Sequence, residues 1–152
     1  MRALKRFGAI LLILGVASPA LAAPPSTETI TNQDLTLTVI DTPFCESGAT
    51  HEIALTFNEI THVTEFDDGR VHFTFTQTGT FDAVPLEPGE QAATGHFAVW
   101  GGFNNNGKTV NGTFTFNANG TLEDGTRVST HLVDHFNVTP SGSEFFFTRC
   151  HE

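Results

Sequence analysis

Tyrosine is absent from this 152-residue chain, and lysine and arginine together number only seven, against 17 aspartates and glutamates. Without tyrosine the interior of the fold offers no phenol for acid–base chemistry. The shortage of basic residues leaves a formal net charge of −10, and so acidic a surface repels phosphate backbones and anionic lipid. We therefore expect no nucleic-acid partner and no membrane insertion, and we expect the charge to keep the protein a soluble monomer.

Long hydrophobic runs are also lacking. The run Ala9–Val16 is far shorter than the ~20 residues needed to span a bilayer. Three basic residues precede this run and Ala20-Leu21-Ala22 follows it, a pattern typical of a signal peptide over residues 1–22. Its removal would leave four basic residues against the 17 acidic ones, a net charge of −13. The sequence thus predicts a protein secreted or held in the cell envelope, without a lipid anchor.

Only two cysteines are present, Cys45 and Cys150, and they bracket most of the chain. Outside the cytoplasm such a pair is expected to form a disulfide. Closing a loop of about a hundred residues would stabilise the fold by ~4–5 kcal/mol on the chain-entropy model. The alternative, a thiol or metal role involving the adjacent His151, lacks a second Cys/His cluster nearby in the sequence.

Helical periodicity is missing after the leader, and apolar residues instead recur at every second position. In one such stretch Val71, Phe73 and Phe75 alternate with His72 and threonines, as in a strand with one buried face. The pattern predicts strands near 29–40, 51–66, 70–84 (with a break near Gly79 as an alternative), 93–103, 109–117, 121–138 (with a break at Asp124-Gly125 as an alternative) and 143–150.

These strands predict an all-β fold, specifically a single antiparallel up-and-down β-barrel of about seven or eight strands. Short connections favour a meander, and closure would remove its exposed edges. The expected disulfide between the first and last strands lies where closure must occur. A β-sandwich is the alternative. We assign 23–31 to a flexible lead-in and 32–152 to the barrel domain.

Turn residues separate the predicted strands. Asp68-Gly69 indicates a two-residue type I′ hairpin turn, which would set Glu65 directly across from His72 as an ion pair.

Seven histidines are the main compositional hint of chemistry. His131 and His135 would share a strand face but lie ~13 Å apart, so they could not chelate one ion without other strands. Asp134 and Glu65 are candidate additions to such a site. The sequence contains no recognisable catalytic motif, so we assign no catalytic residue, no metal ligand and no cofactor. Most of these histidines are expected on the solvated faces of strands.

Several segments nevertheless resemble a group of small exported bacterial proteins: Asp68–Gly79, Thr94–Phe97, Gly112–Asn117, Asp134–Gly142 and the final Cys150. The resemblance implies a closed antiparallel barrel similar in outline to lipocalins and to allene oxide cyclase-like barrels. No lipocalin Gly-x-Trp stands near the first strand, and no functional residue carries over.

Fourteen phenylalanines follow the leader, and they suggest an apolar interior. Our leading hypothesis is a non-enzymatic barrel that binds a small hydrophobic ligand at one mouth. The candidate ligand-binding residues are Phe73, Phe75, Phe97, Trp100, Phe114, Phe116 and Phe136. The alternatives are a structural or surface-interaction protein and, third, an isomerase, cyclase or metal-dependent enzyme that uses at least three of His62, His72, His96, His131 and His135.

Overall fold

The computed structural model describes residues 23–45 and 49–151; the predicted signal peptide lies outside this part. The described chain forms seven strands of one antiparallel sheet, arranged in sequence order. The all-β meander is therefore confirmed. In neither described segment is there a helix suited to crossing a bilayer. The strands are β1 (Ser26–Asp41), β2 (His51–Glu65), β3 (Val71–Pro85), β4 (Ala93–Asn105), β5 (Val110–Leu122), β6 (Arg127–Val138) and β7 (Glu144–His151).

The strand boundaries follow the predicted ones closely, with two differences. β5 extends to Leu122, beyond its predicted end at 117, and the turn at Asp124-Gly125 separates it from β6, whereas β3 continues through Gly79 without a break. β1 begins at Ser26 and so takes in residues that we had assigned to the lead-in, because Ser26 to Thr31 pair with Glu65 to Ile60 of β2.

Three hairpins share one turn design. In each, a glycine with positive φ donates its N–H to the carbonyl three residues earlier, and that earlier residue donates its own N–H to the residue after the glycine. This is the three-residue loop in which a type I turn is followed by a left-handed glycine. The turns are Phe66–Arg70, Leu122–Thr126 and Thr139–Ser143, with Gly69, Gly125 and Gly142 at φ values of 81°, 88° and 78°.

The first of these turns corrects a prediction. Only Gly69 has positive φ there, so the loop is one residue longer than the expected type I′ turn. Glu65 consequently faces Val71, and His72 faces Thr64. The predicted Glu65–His72 pair is wrong, because a shift of one residue places the two side chains on opposite faces of the sheet.

Side chains alternate between two faces across the whole sheet. We call the face that carries most of the phenylalanines the inner face, and the one that carries threonine, asparagine and most histidines the outer face. The register keeps them separate: one inner-face row runs from Phe75 through Gly101 and Phe114 to Asp134, and the adjacent outer-face row runs through Thr76 and Trp100. Period-two alternation in the sequence thus becomes one apolar and one polar surface.

A β-bulge keeps β1 in this pattern. The register shifts between Asn32, which faces Glu59, and Leu35, which faces Phe57. Asp34 adopts a φ of 53° there, and its N–H donates to Oδ1 of Asn58 at 3.0 Å. The extra residue shifts the alternation by one position, so the inward-facing residues have even numbers up to Asn32 and odd numbers from Leu35 onward.

Inner-face glycines allow the sheet to bend. A Cβ on Gly79 would lie 2.1 Å from the carbonyl oxygen of Thr56, and one on Gly95 would lie 2.2 Å from that of Asn119. Backbone of the adjacent strand therefore occupies the space of a side chain at both positions. Such close approach is typical of strongly curved sheets.

The sheet is curved but not closed. No Cα of β1 lies within 8 Å of a Cα of β7, and the two strands do not pair. The predicted hydrogen-bonded closure is therefore not present in this structure. Strand number explains part of this result, since in a seven-stranded meander the first and last strands run in the same direction and cannot form an antiparallel pair.

The predicted disulfide is confirmed and spans this opening. Cys45 and Cys150 are bonded, with a Cα–Cα distance of 5.8 Å and a sequence separation of 105. Residues 42–45 follow β1, and Phe44 is buried against Phe81 with ring centroids 6.3 Å apart. The core therefore lies near the end of the sheet where β1 finishes; its buried residues are Phe44, Ile53, Phe81, Ala83, Ala93, Phe97 and Ala118.

Candidate functional site

A cavity of about 520 Å³ lies on the inner face and is partly open to solvent. Its volume is within the range of small-molecule sites. Val39 of β1 and Leu132 of β6 both line it, so the curved sheet surrounds it from opposite sides. The lining is Val39, Asp41, Thr42, Pro43, Phe44, Cys45, Ile53, Leu55, Phe81, Phe97, Val99, Phe114, Phe116, Ala118, Thr130, Leu132, Asp134 and Cys150.

One wall of the cavity is formed by the disulfide segment. Asp41 ends β1, and the chain then passes through Thr42 and Pro43 to Phe44 and Cys45, all of which line the cavity. The bond to Cys150 fixes this segment against β7. The disulfide thus holds part of the cavity wall in place in addition to restricting the unfolded chain.

The mostly apolar lining includes four polar side chains, Asp41, Thr42, Thr130 and Asp134, and two of them carry a buried, unpaired oxygen. Oγ1 of Thr130 and Oδ1 of Asp134 are buried, and neither has a hydrogen-bond partner among the described residues. Both residues lie on β6 and flank Leu132 on the inner face, ~13 Å apart by strand geometry. Buried polar groups are normally paired, so two unpaired acceptors in one cavity indicate a place for a donor from outside the chain.

A second polar group on the inner face is already satisfied. Asn32 donates to Oε1 of Glu59 at 3.3 Å, and Gln77 donates to Oε2 at 2.7 Å. Both carboxylate oxygens therefore have partners, and Glu59 does not line the cavity. This network links β1, β2 and β3 and has a structural role, in contrast to Thr130 and Asp134.

Three of the predicted ligand-binding residues line the cavity: Phe97, Phe114 and Phe116. Phe97 lies on β4, the middle strand of the sheet. Its ring centroid is 6.1 Å from that of Phe57 and 6.1 Å from that of Phe116. These rings came from neighbouring strands that the alternation pattern correctly placed on one face.

The other predicted residues lie elsewhere. Phe73 stacks on Phe103 at 4.8 Å, and Phe75 packs against Phe73 at 5.8 Å. Phe136 stacks on Phe146 at 6.5 Å. These rings share the inner face but lie toward the opposite end of the strands, outside the cavity lining.

Trp100 is on the outer face and is 43 % exposed, opposite Thr76 and Thr115. Its position outside the cavity means that its fluorescence would not report directly on a ligand inside.

Asp134 and Thr130 were not among the predicted cavity residues. The sequence makes Asp134 a candidate partner for His131 and His135, but neighbouring odd and even positions of a strand point to opposite faces. Asp134, Leu132 and Phe136 are two residues apart along β6, so the alternation places Asp134 on the inner face with the other two.

Six of the seven histidines lie on the outer face, and four of these hydrogen-bond to side chains on neighbouring strands. His62 contacts Thr29, His72 contacts Asn104, and His135 contacts Thr113, at ring-nitrogen distances of 2.8, 2.6 and 2.7 Å. His131 contacts Asn117 in the same way. Among the described residues no three His, Cys, Asp or Glu side chains form a group that could hold a metal ion.

His51 is the buried exception, at 3 % exposure. Its Nδ1 lies 3.0 Å from the carbonyl oxygen of Ala49, and its Nε2 lies 3.2 Å from that of Gln91. The ring therefore holds the loop before β4 against the start of β2, which is a structural position.

Another depression lies on the polar side of the sheet, over the β4–β5–β6 ends. Its lining includes His96, Asn119, Arg127 and Ser129, most of which are exposed. It has no buried polar atom without a partner, so it is the weaker candidate.

Comparisons of the chain with protein families, with curated proteins and with solved structures found no match.

Proposed function

We propose that the protein is a non-enzymatic, exported binding protein that holds a small, largely apolar molecule in the inner-face cavity. The rolled sheet would serve as a barrel-like receptacle even though β1 and β7 do not pair. The observation that carries the proposal is the combination of a cavity of about 520 Å³, an apolar lining, and two buried acceptors without partners.

The ligand's chemistry follows from those two acceptors. An apolar body would bury its surface against Phe97, Phe116 and Leu132, with a gain of ~25 cal/mol per Å² removed from water. A hydroxyl or amine on the same molecule would donate to Asp134 or Thr130. A hydrogen bond contributes ~1 kcal/mol, about fivefold in affinity, and a bond to a carboxylate contributes more.

Export is the second part of the proposal. A disulfide is compatible with an extracellular or envelope location. The basic, apolar and small-residue pattern of residues 1–22 supports the same location from the sequence.

The test compares two ligands of the same size by isothermal titration calorimetry: 1-octanol, which has a donor, and heptyl methyl ether, which has none. We expect both to bind, with 1-octanol about fivefold tighter because only it can pair with the buried acceptors. Asp134→Leu should reduce this preference while the ether still binds.

Leu132→Trp provides the complementary variant, because it fills the cavity, and it should abolish binding of both ligands. Trp100→Ala on the outer face is the matched control and should bind as the wild type does. No binding of either ligand to the wild type would overturn the proposed function. Equal affinities in the wild type would refute donor recognition alone and leave an apolar site.

A further inference from the structure

The last strand, β7, is exposed along its whole length, in contrast to the strands at the centre of the sheet. Three consecutive phenylalanines, Phe145, Phe146 and Phe147, are 60, 68 and 49 % exposed. Phe146 points to the inner face with Phe136 opposite it, and the other two point to the outer face. Adjacent exposed aromatic side chains on a soluble, acidic protein indicate an interaction surface.

The backbone of β7 is also unpaired on one side. β6 pairs with one edge of the strand, and within residues 23–45 and 49–151 no other strand pairs with the second edge. β1 leaves it uncovered, since no Cα of β1 is within 8 Å of β7. Except at the disulfide, where Sγ of Cys45 lies 3.6 Å from the carbonyl oxygen of His151, this edge presents N–H and C=O groups to any strand that can approach.

The opposite edge of the sheet is protected in ways that β7 is not. β1 contains the bulge at Asp34 and carries three carboxylates, Glu28, Asp34 and Asp41. Bulges and charges of this kind discourage pairing between edges. β7 has no bulge in its register, no proline and no lysine, and it carries one carboxylate, Glu144, and one guanidinium, Arg149.

We propose that β7 pairs antiparallel with β7 of a second copy of this chain, about a two-fold axis at Phe146. This register places Phe146 opposite Phe146 of the second copy, and Phe145 opposite its Phe147. A two-fold axis normal to the sheet keeps each side chain on its own face, so the edge is complementary to itself. The aromatic pairs then lie directly across the new strand pair, where such pairs stabilise a sheet.

Charge favours a second copy at this strand in particular. The chain has a net charge of −10, so most surfaces of two copies repel each other. One acidic and one basic residue balance within Glu144–His151, and the approach of two β7 strands lacks that repulsion.

The expected interface is small. A phenylalanine has on the order of 200 Å² of side-chain surface, so three half-exposed rings from each copy would bury at most roughly 600 Å². That area is typical of a weak contact, to which the new backbone hydrogen bonds add. The expected dimer is therefore concentration-dependent, and it replaces the monomer expected from net charge alone.

Sedimentation equilibrium of the oxidised, processed protein over the micromolar range tests the proposal. The wild type should shift from monomer to dimer as its concentration rises, and Phe146→Lys should remain monomeric. Leu37→Lys is the matched control: Leu37 is 50 % exposed at the other edge of the sheet, and this variant should dimerise as the wild type does. Circular dichroism and a count of free thiols establish that each variant is folded and disulfide-bonded.

A wild type that stays monomeric across the range would overturn the proposal, as would loss of the dimer in Leu37→Lys with the dimer retained in Phe146→Lys. Octanol binding is measured separately, so failure of the dimer and failure of the cavity are distinguishable.

Discussion

The ring of Phe44 meets the ring of Phe81 edge-on, with centroids 6.3 Å apart and planes at 66°. Phe44 follows β1 and precedes the disulfide by one residue, so this contact anchors the disulfide segment to the second half of β3. Both rings are buried and both line the cavity. The contact therefore couples the stability of the core to the shape of the binding site.

Phe44→Ala should lower the free energy of unfolding by about 3 kcal/mol, because it removes a buried ring from a packed cluster. It should also enlarge the cavity and raise the affinity for ligands longer than octanol. Urea unfolding and calorimetry measure the two effects. Leu86→Ala, at a side chain that is 52 % exposed, is the control and should change stability by about 0.5 kcal/mol or less. Equal losses in the two variants would contradict the role assigned to Phe44.

Removal of the disulfide should lower the free energy of unfolding more than the other substitutions proposed for this protein. The double variant Cys45→Ser, Cys150→Ser opens a crosslink with a sequence separation of 105 and should lose ~4–5 kcal/mol, an upper value for an unstrained bond. Thermal unfolding compares it with the oxidised wild type, and the wild type treated with reductant serves as the control. If the double variant unfolds at the same temperature as the oxidised wild type, the bond contributes little to stability. Free thiols in exported material would show that it does not form.

Gly79→Ala tests whether the curvature of the sheet depends on close approach between the backbones of adjacent strands at a residue without a side chain. A Cβ there would lie 2.1 Å from the Thr56 carbonyl oxygen and 2.6 Å from Cβ of Phe57, so the strands must separate. We expect a loss of about 2–3 kcal/mol in urea unfolding. Gly89→Ala is the control, since its Cβ would meet nothing within 4 Å and only its φ of 94° opposes the change. A larger loss at Gly89 than at Gly79 would contradict this account.

Asp124 gives a prediction for pH. The backbone N–H of Thr126 donates to its carboxylate at 2.8 Å, Gln91 donates at 3.2 Å, and these bonds hold the pKa of Asp124 below its ordinary value of 3.8. Because the pKa is lowered in the folded state, its contribution to stability is present above the unfolded pKa and is lost as pH falls through the folded one.

Carboxyl chemical shifts followed through an acid titration should place the midpoint for Asp124 below 3.8. Asp124→Asn should show a shallower loss of stability with acid than the wild type. An Asp124 midpoint above its ordinary value, or identical acid profiles for Asp124→Asn and wild type, would contradict the assignment.

Much of the architecture could be read from alternation and turn residues. The alternation pattern correctly placed Phe73, Phe97 and Phe116 on one face of the sheet and His72 and His96 on the other. It could do so because side chains in a strand alternate strictly between the two faces. The disulfide could be predicted because the chain has only two cysteines and because cysteine pairs of exported proteins are expected to oxidise.

Other features depended on single residues of turn geometry. The hairpin at Gly69 differs from the expected one by one residue, and that difference alone separates Glu65 from His72. The bulge at Asp34 inverts the pattern of β1, and the odd spacing between Ile30 and Leu35 is the one sign of it among the apolar residues. Both are local choices among backbone conformations that differ little in free energy, so sequence patterns do not decide between them.

The amino-acid sequence by itself determined the strands, their order in a meander, the two-faced character of the sheet and the pairing of its cysteines, because all of these follow from periodicity and local chemistry. Only the tertiary structure decided that the sheet curls without closing, that Asp134 and Thr130 share a cavity with Phe97, and that β7 is left exposed. Those outcomes depend on the summed bend of seven strands, a property to which every residue contributes and which no single motif encodes.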